Sequence, residues 1–151
     1  MNIFYLDKDP VKAAQAMCDK HVVKMVLESA QMLCSIHEDA PYRRTHYSHP
    51  STKWSRTTRE NYNWLLAHAY ALCDEYTHRY GKTHKSQQVI DWCAQNIDKV
   101  KFNKSGFTQP PQAMPKIYHS PDSVYSYRKY YLMEKNSIAS WKKNRNPPNW
   151  W

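Results

Sequence analysis

The chain has 151 residues, with 22 Lys and Arg against 13 Asp and Glu, a formal net charge of +9 at pH 7, 12 Tyr, 6 Trp and only two Gly. That length holds one domain with a real core, and two glycines supply too few positive-φ positions for a hairpin-rich β fold. No apolar run approaches the ~18 residues that would span a membrane, and positive charge combined with flat amphipathic rings suits a nucleic-acid or nucleotide partner, cations holding phosphates and rings stacking on bases.

The start, Met1-Asn2-Ile3-Phe4-Tyr5-Leu6-Asp7, turns acidic too early for an export signal, and residues 2–6 read as a short extended segment. Asp9-Pro10 then opens a helix, Asp9 as cap and Pro10 in the first turn, running to about Cys34–His37. Residues 38–50 form a polar loop. A second helix is expected from about Ser51 to Tyr80, on the recurrence of Trp54, Thr58, Asn61, Leu65, Ala69, Leu72 and Tyr76, with Gly81 as its stop. A third, shorter helix spans 85–98 and carries Val89, Ile90, Cys93 and Ile97. The stretch 99–119, with Gly106, Pro110, Pro111 and Pro115, is irregular. Ser120-Pro121-Asp122 starts a last helix, capping Ser, Pro and then an acid in the first turn, that runs to about Lys143. The prolines of the 143–151 tail exclude helix there, and Trp150-Trp151 is too apolar to stay in water, so it docks on the domain or awaits a ligand. The fold class is therefore all-α: a single compact domain over 1–151, about four helices behind a short extended N-terminal segment. Cys18, Cys34, Cys73 and Cys93 form no CxxC pair and sit in apolar helical contexts, as reduced core residues of a cytosolic protein do.

The first helix carries the chemistry. His21, Lys24, Glu28 and Gln31 fall within roughly 80° of one another at ~100° per residue, while Val22, Val23, Met25, Val26, Leu27, Ala30, Met32, Leu33 and Ile36 fill the remaining arc. A helix buried nearly all round with a narrow titratable strip is a candidate site, because buried charge is costly unless paired or used; an ordinary solvated face with i,i+4 pairs is the plain alternative. Three further clusters are nucleic-acid-binding candidates: Arg43, Arg44, His46 and His49 in the loop, the two arginines suited to phosphate; Arg79, Lys82, His84 and Lys85 between two helices, a phosphate site or cations that complement a helix dipole; and Tyr127, Arg128, Lys129 and Tyr130 on the last helix, where some rings must be core. His46 and His49, with Glu28, also make a weak metal-ligand set, and the expectation is no metal and no cofactor.

Asp19-Lys20-His21 followed by Glu28, seven residues beyond the His on a helix near the N-terminus, resembles the pyrimidine-dimer DNA glycosylases of the phage endonuclease V type. The His49-Pro50 loop before the long helix and the Tyr127-Arg128-Lys129-Tyr130-Tyr131 stretch resemble the same family. The resemblance implies a small basic all-α monomer that binds damaged double-stranded DNA and displaces a base. It implies an N-terminal α-amine that attacks C1′, an imine, and β-elimination that nicks the strand. It assigns Glu28 to stabilising cationic character at C1′ and moving protons, and His21 to the sugar–phosphate near the lesion. The family places a small Thr after a removed Met, where this chain has Asn2. The amine is accordingly that of Met1 or Asn2, or Lys24 takes its place. A non-catalytic nucleic-acid-binding protein, a nucleotide N-glycosidase and a metal-dependent nuclease stand as alternatives.

Overall fold

The computed structural model describes residues 1–151 as an all-helical domain: α1 (Pro10–Ala16), α2 (Asp19–Cys34), α3 (Pro50–Ser55), α4 (Arg59–Tyr80), α5 (Gln87–Asn96) and α6 (Ser123–Glu134), with 3-10 turns at Ile97–Lys99 and Lys116–Tyr118. The long α4 is the spine; α1 and α2 both pack along it, and α5 closes the far side against α2 and α4. The N-terminal segment forms neither helix nor strand; it turns at Phe4 rather than staying extended, and it runs through the core, with Ile3, Phe4, Tyr5 and Leu6 all buried. No helix is long and apolar enough to cross a membrane.

Six helices stand where four were expected, because two of the expected helices are broken. The first breaks at Met17-Cys18, both in extended conformation. A helix end leaves carbonyls without partners, and here distant side chains take them. Arg79 donates to Gln15 O at 3.0 Å and Met17 O at 2.7 Å, and the Trp141 indole donates to Ala16 O at 3.1 Å. On the other side of the break, the Cys18 N–H donates to the Tyr131 hydroxyl and the Asp19 N–H to Ser140 O. None of these partners lies within fifty residues, so the local sequence reads as one helix.

The second break lies at Arg56–Thr58. Thr58 caps α4 through the Asn61 N–H, and the Asn61 side chain turns back to Trp54 O and across to Thr108. Gly81 ends α4 in the left-handed conformation, φ +70°, as expected. The cap of α6 is Asp122, whose carboxylate accepts from the Val124 and Tyr125 N–H groups, rather than Ser120; the helix stops at Glu134, well before Lys143. The tail is non-helical and docked, Trp150 against Tyr131 and Trp151 against Trp141. All four cysteines are free and buried.

Candidate active site

One face of α2 opens into a cavity of about 510 Å³, within the range of small-ligand sites. The whole predicted stripe, His21, Lys24, Glu28 and Gln31, lines it. The rest of α2 is less enclosed than the sequence suggested. Val23 and Leu27 are more than a third exposed, because they flank the stripe on the solvent side, and the buried arc is the opposite one, with Val22, Met25, Val26, Ala30 and Leu33.

Residues far from α2 in sequence complete the cavity: Met1, Asn2 and Phe4 from the N-terminal segment, His46 from the polar loop, and Tyr130 and Lys135 from the end of α6. Glu28 is its only carboxylate, and the chain start is folded onto it. The Asn2 N–H donates to Glu28 Oε1 at 3.0 Å, and the Met1 amine lies 3.6 Å from the same oxygen. Lys24 Nζ lies 3.7 Å from Oε2, but its side chain is 69% exposed, so it reaches Glu28 from water.

The Asn2 side chain holds this start in place. Its Oδ1 accepts from the Ile3 and Phe4 N–H groups at 2.7 and 2.9 Å, and its Nδ2 donates to Ala113 O at 3.0 Å. That local turn accommodates Phe4 at φ +54°, a conformation costly for a bulky residue unless its surroundings fix it. They do: the Phe4 ring stacks on His21, centroids 4.2 Å apart and 18° from parallel, with Tyr127 and Tyr131 at its edges.

His21 is held from below. Its Nδ1 lies 2.6 Å from the Tyr131 hydroxyl. Burial, reinforced by Lys135 and Lys24, pushes the imidazole down to about 4, so it is neutral across the physiological range. Around Glu28 the Met1 amine, Lys24 and Lys135 leave the cavity net positive, as a phosphate-bearing ligand requires.

The other expected contacts divide. Arg43 and Arg44 line a shallow groove that shares Leu27 and Gln31 with the cavity. Arg44 and Arg56 both lie over the Tyr47 ring, at 5.0 and 3.7 Å. His46 reaches the cavity rim, while His49 is spent capping α3 through the Ser51 N–H. No group of three or more His, Cys, Asp or Glu side chains is placed to hold a metal ion. Tyr130 lines the cavity with Lys135 above its ring at 4.9 Å, and Lys129 is exposed.

Four expected contacts are engaged elsewhere. Arg79 is 1% exposed, its guanidinium divided among Gln15 O, Met17 O, Asp19 and Glu75. Tyr127 is buried, its hydroxyl donating to Pro111 O and accepting from the Ala113 N–H. Arg128 is tied to Leu6 O and Asp7. His84 bridges Val23 O and the Ser86 N–H, and Lys82 and Lys85 beside it are exposed but away from the cavity lining. Phe4 is a site residue that sequence reasoning left out, read only as part of the extended start; Tyr131 and Lys135 belonged to the aromatic and basic stretch of the last helix, with nothing in the sequence to place them beside His21.

This small all-α domain thus folds its own N-terminal amine against the one carboxylate of a positive cavity. Residues 1–88, more than half of the chain, match the family described as Pyrimidine dimer DNA glycosylase, and the chain belongs to that family. No curated protein and no solved structure matches the chain.

Proposed function

We propose that this protein is a DNA glycosylase with AP-lyase activity, acting at C1′ of a damaged nucleotide displaced from duplex DNA into the α2 cavity. The observation that carries this reading is the Met1 amine 3.6 Å from Glu28 Oε1, in a family of DNA glycosylases. In the proposed reaction the neutral amine attacks C1′ as the bond from C1′ to the base breaks, and the base leaves with a proton. The C1′–O4′ bond then opens, O4′ takes a proton and an imine forms at C1′. Loss of a C2′ proton to Glu28 expels the 3′ phosphate by β-elimination, and water releases the sugar aldehyde and restores the amine. No external oxidant or reductant is needed.

Glu28 suits the proton-handling role because it is nearly buried yet touches the amine directly. Met1 is the favoured nucleophile. The side chain of Asn2 is fully engaged in holding the turn, and its main-chain nitrogen, 3.0 Å from Oε1, becomes an amine only if Met1 is removed. The cations of Arg43 and Arg44, next along the groove, fit the phosphates beside the lesion.

The test is borohydride trapping on a labelled duplex containing one abasic site, beside an intact duplex and one containing a pyrimidine dimer. A covalent adduct on the abasic strand, mapped by mass to Met1 or Asn2, is the expected result. Glycosidic cleavage at the dimer, read as an alkali-labile site because the freed base stays joined to its partner pyrimidine, without adduct or nicking would mean that Glu28 activates water instead. The absence of both an alkali-labile site at the dimer and nicking of the abasic strand would overturn the reading.

A further inference from the structure

The Tyr131 hydroxyl, 0% exposed beneath His21, has one proton and three neighbours. The Cys18 N–H donates to it at 3.1 Å, His21 Nδ1 lies at 2.6 Å, and Cys18 Sγ lies at 3.4 Å. The N–H of Cys18 has no other acceptor to choose, so the phenol must accept there. Its own proton goes to a ring nitrogen at 2.6 Å or a thiol sulfur at 3.4 Å, and sulfur is a weak acceptor. A phenol is also a stronger donor than a neutral imidazole N–H, and an imidazole nitrogen a stronger acceptor than a phenol oxygen. The arrangement O–H···Nδ1 therefore prevails over Nδ1–H···O.

We propose that Tyr131 is a positioning residue that fixes His21 as the Nε2–H tautomer, making the histidine a hydrogen-bond donor toward the ligand in the α2 cavity. The other face of the ring system agrees. Phe4 stacked on His21 blocks rotation of the imidazole, so the two nitrogens cannot exchange places. Nε2 has no protein partner, and His21 lines the cavity. The charged groups lining the cavity with His21 are the Met1 amine, Lys24, Lys135 and Glu28, and burial, with Lys135 and Lys24 beside it, holds the ring neutral rather than recruiting it as a base.

A neutral N–H donor between two lysines selects a ligand oxygen with lone pairs and no proton. A phosphodiester oxygen or a sugar ring oxygen has that chemistry; a protonated base nitrogen does not. The ligand assignment rests on the glycosylase reading above, whereas the tautomer does not.

Two measurements test it. Nitrogen-15 NMR of the histidines in the free protein should show His21 with a protonated Nε2 and a bare, hydrogen-bond-accepting Nδ1, and Tyr131→Phe should lose that pattern. A protonated Nδ1 in the unmutated protein, or an unchanged pattern in Tyr131→Phe, would overturn the proposal. Should Tyr131→Phe fail to fold, a second pair decides. Gln places its amide near the Nε2 position and Asn near Nδ1, so His21→Gln should bind a duplex bearing a tetrahydrofuran abasic analogue almost as the parent does. His21→Asn should bind it about tenfold more weakly. Equal binding by the two, or tighter binding by His21→Asn, would sink the donor role. Failure of the glycosylase reading would instead appear as absent glycosidic cleavage and nicking with the NMR pattern intact.

Discussion

The Asn2 N–H and the Met1 amine converge on one oxygen, Glu28 Oε1, at 3.0 and 3.6 Å. The carboxylate thus serves two ends at once: it anchors the chain start by a main-chain hydrogen bond and sets an amine at the mouth of the cavity. Few arrangements of an ordinary helical domain need a chain terminus at a buried acid, since termini are the easiest groups to leave in water.

Glu28→Gln separates these duties. The amide can still accept from the Asn2 N–H, so the fold and the affinity for an abasic-analogue duplex should hold within a few-fold. Base release and strand nicking should fall by about 10²–10⁴, the usual worth of a positioned acid–base group. Single-turnover cleavage beside a gel-shift titration reads both; cleavage at the parental rate would remove Glu28 from the chemistry.

Lys24→Met distinguishes the two amines near Glu28. Because the lysine side chain is 69% exposed, its ion pair should contribute at most about 1 kcal/mol to stability. The borohydride adduct should form with Lys24→Met much as with the parent. Its disappearance in a folded variant would transfer the nucleophile to Lys24.

The stripe on α2 was legible because helical periodicity alone brings His21, Lys24, Glu28 and Gln31 to one side, and the cavity uses all four. What faces the stripe was not, since Phe4, Tyr130 and Lys135 arrive by chain crossings that no local pattern encodes. Arg79 shows the same limit from the other direction. A basic residue in the last turn of a long helix ordinarily complements the helix dipole or meets solvent; only the tertiary fold reveals that its partners are the frayed end of α1 and the carboxylates of Asp19 and Glu75. The breaks within two of the expected helices were hidden for that reason too, each being closed by donors or acceptors from another part of the chain.

Arg79→Met tests that buried hub. The substitution keeps much of the volume but strands two main-chain carbonyls and takes the ion-pair partner from Asp19, which is left with the Ser140 hydroxyl and the Lys142 N–H, while Glu75 keeps only its pair with Arg145 at 2.7 Å. Removing one partner from a buried ionic network costs about 3–5 kcal/mol, which urea unfolding should register as a large fall in the midpoint. A variant of parental stability but weakened DNA binding would instead return Arg79 to the DNA-contacting surface.

Acid should destabilise the fold through two histidines buried neutral. His21 and His68 are both pushed from the ordinary 6.5 down to about 4, in each case chiefly by burial, and His68 Nδ1 is committed to Pro10 O. Between these values the unfolded chain binds protons that the folded chain refuses, so unfolding free energy falls as pH drops through that window. Each histidine contributes on the order of 3 kcal/mol to the loss, complete only near the folded value. Above about pH 7 neither contributes any slope. Urea midpoints at pH 7.5, 6, 5 and 4.5 should therefore be level at first and then decline steeply, with His37, His49 and His84, each also lowered chiefly by burial, adding to the proton uptake of His21 and His68 on unfolding. A stability curve flat down to pH 4.5 would mean that one or both rings accept a proton in place, and for His21 that would put a cation, rather than a neutral donor, beside Glu28.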